Sequence, residues 1–357
     1  MSQPIARLAN APPLNVLELD ALFHALLQGF QRTQEVAERC GATFCIGGRR
    51  VLIQSAGAAT LSALTPALEH LRAPEAARPD ISIRTYAGHR RFDSRLMPPP
   101  GIYVATERGL QITVSAAPAA ITAYDWRSRD GVAWLAGDPH DHTRAYATPL
   151  RELFAAALHA DGLVGLHAAA VGIDEGGALL AGAGGAGKST TAIACALAGM
   201  TLAGDDFCFA QSDQLPIAHS LYSSTKLTRQ SAAWLQPPSA AATGRYVDDK
   251  QIYMLQRAPD VRLAGRMEIR AVLVLHITHQ ERSRLRPLAP IEALNVLAPT
   301  SVRLMGLPAH AAPALFRHTA AIVRRVPCYR LELGTDPAVA PELIRAAITG
   351  EARRWMN

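Results

Sequence analysis

Apolar positions recur at helical spacing over residues 17–40 (LELDALFHALLQGFQRTQEVAERC), so the sequence predicts an amphipathic helix there, interrupted at Gly29. The period then shortens. Residues 43–45 and 51–54, joined across Gly47-Gly48, read as a hairpin, residues 58–71 as a helix, and residues 81–86 as a strand after a Pro-containing turn. Met97-Pro98-Pro99-Pro100-Gly101 is a rigid break. Beyond it, residues 102–105, 110–114, 121–126 and 131–135 form short alternating runs, which predict a mixed, largely antiparallel region. So dense a set of short strands raises the expectation of an open sheet edge to which an extended peptide adds.

A helix at residues 149–159 introduces a second pattern. Residues 163–173 and the run resuming at Ala178 read as two strands joined by a tight turn at Asp174-Glu175-Gly176-Gly177, with His167 at the end of the first strand. Strands follow at 201–203 and 207–210, around Gly204-Asp205-Asp206. Residues 271–277 (AVLVLHI) read as a central strand, and residues 290–297 and 312–325 as helices. There is no internal repeat. The change of pattern near residues 143–149 predicts a mixed α+β N-terminal domain over 1–145, with a role in peptide recognition, and an α/β domain over 146–357.

Between the second strand and its helix lies Gly182-Ala183-Gly184-Gly185-Ala186-Gly187-Lys188-Ser189, a complete GxxxxGK[ST] loop followed by Thr190. Glycines let the backbone fold around a β-phosphate, so that N–H groups and the helix N-terminus face the anion. Lys188 supplies a mobile charge for the β/γ-phosphates, and Ser189 offers a hydroxyl to Mg²⁺. A short buried strand ahead and a small-residue helix behind are the context this loop requires.

Composition narrows the class. The 357 residues are 49% hydrophobic and 18% charged, enough for two packed cores. The net charge of +6 is spread over short pairs such as Arg49-Arg50, Arg90-Arg91 and Arg324-Arg325, and aromatics are 6%, which argues against a nucleic-acid surface. Five cysteines without a CxxC pair fit a reduced compartment, with Cys195 and Cys208 as small core hydrophobes. No hydrophobic run has the length of a membrane span, and the N-terminal MSQPIARLANAPP lacks a signal core, so a cytoplasmic protein is expected. His140-Asp141-His142 reads as a solvated turn rather than a metal site, and His276 and His279 as structural.

Three features surround the loop: His167, 21 residues before Lys188, and the pair Asp205 and Asp206, beginning 17 residues after it. Paired carboxylates after a strand beside a phosphate loop are where a metal ion and an attacking hydroxyl would be managed. Lys226 and Lys250 are candidates for contacting phosphate or acceptor, and Arg303 is a weaker one.

The run LHAAAVGIDEGGALLAGAGGAGKST…GDDF resembles the core of the HPr kinase/phosphorylase family, related in fold to ATP-dependent phosphoenolpyruvate carboxykinase. The resemblance spans about residues 163–210. It implies an α/β P-loop kinase fold for the C-terminal domain, with ATP and Mg²⁺ as cofactors. By position it would make Asp205 the general base assisted by His167, set Lys188 on phosphate, and give the metal to Ser189 with Asp206. Relatives often form oligomers, so a homo-oligomer is implied. Downstream, Leu221-Tyr222-Ser223-Ser224-Thr225-Lys226-Leu227 lacks the family's acidic metal ligand. In this the chain looks more like the divergent members found beside biosynthetic clusters for ribosomal peptides, including lasso peptides. That likeness implies a serine-type hydroxyl of a precursor peptide or small protein as acceptor. Two other readings stay open from the sequence: a small-molecule kinase acting on free serine or a sugar, and an ATP-binding scaffold without turnover.

Overall fold

The computed structural model describes residues 14–75, 78–88, 98–116, 119–213, 215–305 and 311–355, without the side chains of 303–305 and 355. The N-terminal thirteen residues, Arg90-Arg91, Met97 and the Arg303 side chain therefore lie outside the described residues.

The chain forms two compact units, Met1–Pro66 with Arg72–Ala160, and Ala67–Leu71 with Asp161–Asn357. The division follows Ala160 rather than residue 145, because helix Arg151–His159 packs on the first unit's sheet. Trp126 Nε1 donates to Ala156 O at 2.8 Å there, and Leu153 lies over the bare backbone of Gly131. In the first unit an eight-stranded sheet runs from Arg72–Ala73 through Arg39–Ile46, Arg49–Ala56, Ile81–Gly88, Asp130–Ala136, Ala119–Asp125 and Leu110–Ala116 to Gly101–Ala105. Its middle pairs are parallel, so the region is more mixed than the alternation predicts. Helix Val16–Gln34, capped by Asn15, buries Leu19, Leu22, Phe23, Leu26 and Phe30 against that sheet. The expected helix at 58–71 is Ala58–Leu64 followed by a 3₁₀ turn, since Pro66 lacks the N–H to continue it.

The second unit is built on a larger mixed sheet. At its centre Gly176–Ala181, Arg266–Ile277 and Cys328–Leu333 run parallel in that order. Alternate residues of these strands enter two different cores. Ala178, Leu180, Leu273 and Leu275 meet helices Lys188–Leu197 and Ala340–Thr349, whereas Leu179, Ala181 and Val272 meet Pro290–Met305 and Ala312–Arg325. Burial on both faces explains why these strands read as unbroken apolar runs. A separate three-stranded sheet, Ser224–Leu227, Lys250–Met254 and Ala242–Val247, completes the unit. All five cysteines are free thiols, and burial pushes Cys195 and Cys208 up to about 12, as inert core groups. Among the described residues no helix is long and apolar enough to cross a membrane.

One irregularity positions the site. The chain does not run straight from 163 to 173 but breaks at His167-Ala168, between strands Val164–Leu166 and Ala169–Ile173. The partner strand breaks at the same level, between Thr201–Gly204 and Cys208–Gln211. Leu166 pairs with Cys208 on one side of the breaks and Ala170 with Gly204 on the other. Continuing either antiparallel register sets Phe207 opposite His167 and Asp206 opposite Ala168, so the two gaps face each other. His167 thus precedes the hairpin strand rather than ending it.

Candidate functional site

The hairpin register carries the phosphate loop to the same edge. Ala169 pairs with Leu180, so the residues just before the first strand and just after the second lie together. Gly182 therefore emerges near His167, at the carboxyl end of parallel strands, where open α/β sheets hold their ligands. The loop spans 182–187 and leads into helix Lys188–Leu197, whose N-cap, Gly187, has φ 93° and offers no side chain as a cap. A Cβ at Gly187 would lie 2.9 Å from Leu333 Cδ1, a side-chain end that can move aside, so it is the backbone angle that calls for glycine there. Ala183, Gly184 and Gly185 are exposed, Ala186 and Gly187 half-buried, and the first-turn N–H groups point out of the helix end. Lys188, 7% exposed, lies folded onto the loop and donates to Gly182 O at 2.8 Å and Ala183 O at 3.2 Å. Burial lowers its pKa, opposed by the charges of Asp206 and Asp205 and reinforced by repulsion from Lys250.

Asp205 and Asp206 turn in opposite senses. Asp206 has φ 64°, a left-handed conformation that aspartate tolerates better than most residues and that clusters at functional sites. Its Oδ1 lies 3.1 Å from His167 Nε2, and its Oδ2 accepts from Lys226 Nζ at 3.0 Å. Burial would raise this carboxyl, but the Lys226 ammonium and the His167 contact outweigh burial and hold it well below the usual carboxylate range. His167 is fixed in turn by its backbone N–H, which donates to Ser301 Oγ at 2.9 Å. Ser301 is itself tied to Leu297 O one helical turn back, at 2.6 Å.

Asp205 is 2% exposed. Its Oδ2 accepts from Thr225 Oγ1 at 2.5 Å, whereas Oδ1 is buried without a geometrically sound partner. Burial and then the Asp206 charge push its carboxyl up, opposed by the Thr225 hydrogen bond and the nearby Ser189 hydroxyl. The pairing is thus the reverse of the expected one: His167 meets Asp206, and Ser189 sits beside Asp205.

Strand Ser224–Leu227 accounts for both contacts. Successive side chains leave a strand on opposite faces, and here Thr225 reaches Asp205 while Lys226 reaches Asp206. Thr225 and Ser301 escaped the sequence reading, and single hydroxyl residues carry no spacing signal that would find them. Lys250 is exposed and acts on Lys188 through charge, and Thr190 shares a 2.9 Å hydrogen bond with Ser231. His142 is buried with Nε2 2.7 Å from Ala136 O, while His276 and His279 are exposed near the end of the central strand.

Among the described residues no three His, Cys, Asp or Glu side chains gather to hold a metal ion. A magnesium ion shared with a nucleotide asks for less, since one or two protein oxygens beside substrate phosphates suffice. The orphaned Asp205 Oδ1 next to the Ser189 hydroxyl fits that requirement.

No protein-family model matches the chain, and no curated protein does. Among solved structures it is similar to the Hpr(Ser) kinase/phosphatase from Coxiella burnetii, at 15% identity and a TM-score of 0.27, over 53% of this chain and 97% of that one.

Proposed function

We propose that the second unit transfers the γ-phosphoryl group of ATP to a serine-type hydroxyl of a peptide or small protein, with a ribosomal (lasso) precursor peptide as the preferred acceptor. The observation that carries this reading is the divided carboxylate pair. Asp206 is held ionised by Lys226 and His167, while Asp205 keeps a buried, unpaired oxygen beside the loop serine. A site that only held a nucleotide would have no use for the first of these.

The loop N–H groups and Lys188 bind the β- and γ-phosphates, Lys188 moving from the loop carbonyls to the anion. Ser189 and Asp205 would hold Mg²⁺, which when bound offsets phosphate charge. Asp206 takes the acceptor side. A carboxylate offers about four acceptor positions, and His167 and Lys226 use two, which leaves room for a substrate hydroxyl. Its weak basicity is tolerable because phosphoryl transfer runs through a loose transition state, where the base chiefly orients the hydroxyl and receives its proton late. Lys226 then stands beside the γ-phosphoryl oxygens as charge develops on them. In this reading the two aspartates exchange the roles expected from the family resemblance.

Labelled ATP, Mg²⁺ and a panel of serine-containing precursor peptides, proteins and small alcohols test the reading. Asp206→Asn is expected to lower transfer by about 10²–10⁴-fold while ATP still binds. Undiminished transfer by that variant sinks the assignment of the base.

A further inference from the structure

A cleft of about 560 Å³, lined by Thr228, Arg229, Gln230, Tyr246, Asp248 and Asp249, lies in the second unit. Its walls come from two elements with known relations to the loop. One is the start of helix Arg229–Leu235, whose Ser231 meets Thr190 in the first turn after the loop. The other is the hairpin turn Asp248-Asp249, which joins Ala242–Val247 to Lys250–Met254. Leu227 pairs with Gln251, so the next register position sets Thr228 opposite Lys250. The cleft's Thr228 therefore lies two strand residues, about 6–7 Å, beyond Lys226 and faces Lys250 across the pairing.

Its lining is of mixed character in an instructive way. Tyr246 is an aromatic ring left 49% exposed on a strand. Arg229 is a planar cation, Asp249 an exposed acceptor, and Thr228 and Gln230 are neutral hydrogen-bonding groups. A cationic acceptor segment would suit the two aspartates but clash with Arg229, whereas a neutral nucleoside uses all of them. We infer that this cleft is the nucleoside subsite of the bound triphosphate, with the base on Tyr246 and the ribose hydroxyls on the Asp248-Asp249 turn. An aromatic or guanidinium face accepts any base by stacking, and a carboxylate accepts from vicinal hydroxyls as acidic residues do in dinucleotide sites. The volume is of the size that small-ligand pockets have. The inference rests on nucleotide binding at the loop, as proposed above.

Calorimetry on the full chain with Mg²⁺ separates the two proposals, using ATP, 2′,3′-dideoxy-ATP and inorganic tripolyphosphate as probes. Tyr246→Ala is expected to weaken ATP about tenfold or more and to leave tripolyphosphate unchanged, with Tyr246→Phe close to wild type. Wild type is expected to prefer ATP over the dideoxy analogue, and Asp249→Asn to erase much of that preference. If Tyr246→Ala leaves ATP affinity intact, or instead shifts the acceptor KM at saturating ATP, the cleft is not the nucleoside subsite and the loop assignment stands. If wild type binds neither ATP nor tripolyphosphate, the phosphate-loop function itself fails and this subsite with it.

Discussion

Replacing Asp205 with Asn removes a charge that the unliganded fold holds at a cost, while keeping nearly the same shape. The carbonyl oxygen of Asn can still accept from Thr225 Oγ1, 2.5 Å away in the wild type, and the new amide faces the Ser189 hydroxyl. What disappears is a buried oxygen without a partner and a like charge beside Asp206. A buried unsatisfied polar group costs about 1–3 kcal/mol. For a unit of this size that corresponds to about 2–4 °C per kcal/mol, hence a rise in Tm of about 2–12 °C without ligand. The pH dependence has a definite sign. Asp205 is raised in the folded state, so its own contribution to stability is greatest below the unfolded carboxylate value of about 3.9 and is lost as pH rises through the higher folded value. The variant lacks that loss, so the Tm gap opens from acid toward neutral pH. Magnesium nucleotide should stabilise the wild type and do far less for the variant. Scanning calorimetry from pH 4 to 8, with and without ATP and Mg²⁺, reads all three effects. A variant that melts at or below wild type at pH 7–8, or a gap flat in pH, would refute the argument.

Two further outcomes follow from the site. Lys226→Met removes the main cation that holds Asp206 ionised. Asp206 stabilises the fold above the unfolded value of about 3.9 and loses that contribution only as pH falls through its much lower folded value, so the variant should lose it at higher pH; carboxyl-carbon NMR titration of residue 206 checks this, and an unmoved titration contradicts it. Gly187→Ala places a Cβ at φ 93° and 2.9 Å from Leu333 Cδ1, so it should cost about 1 kcal/mol or more by thermal melt and abolish tripolyphosphate binding; a variant that binds as wild type does would contradict the loop assignment.

The phosphate loop was legible in the sequence because everything it needs is contiguous: strand, glycines, Lys188, Ser189 and helix occur within residues 176–197, and local backbone preference specifies them. Helices Val16–Gln34 and Ala312–Arg325 were legible because one buried face writes a period into the chain, and the central strand because burial on both faces leaves an unbroken apolar run. The order His167, loop, Asp205-Asp206 was also on the page as letters. Which aspartate faces which partner was not. That choice depends on the left-handed turn at Asp206 and on two strand breaks brought level by a register between residues 166–170 and 204–208. Thr225 and Ser301 enter through contacts 20 and 134 residues apart in sequence, where no period or spacing survives. The sequence alone determined the strand, glycine loop and helix, a matter of local backbone; the tertiary structure alone decided the different surroundings of two adjacent carboxylates, because side-chain direction and burial are set by distant strands.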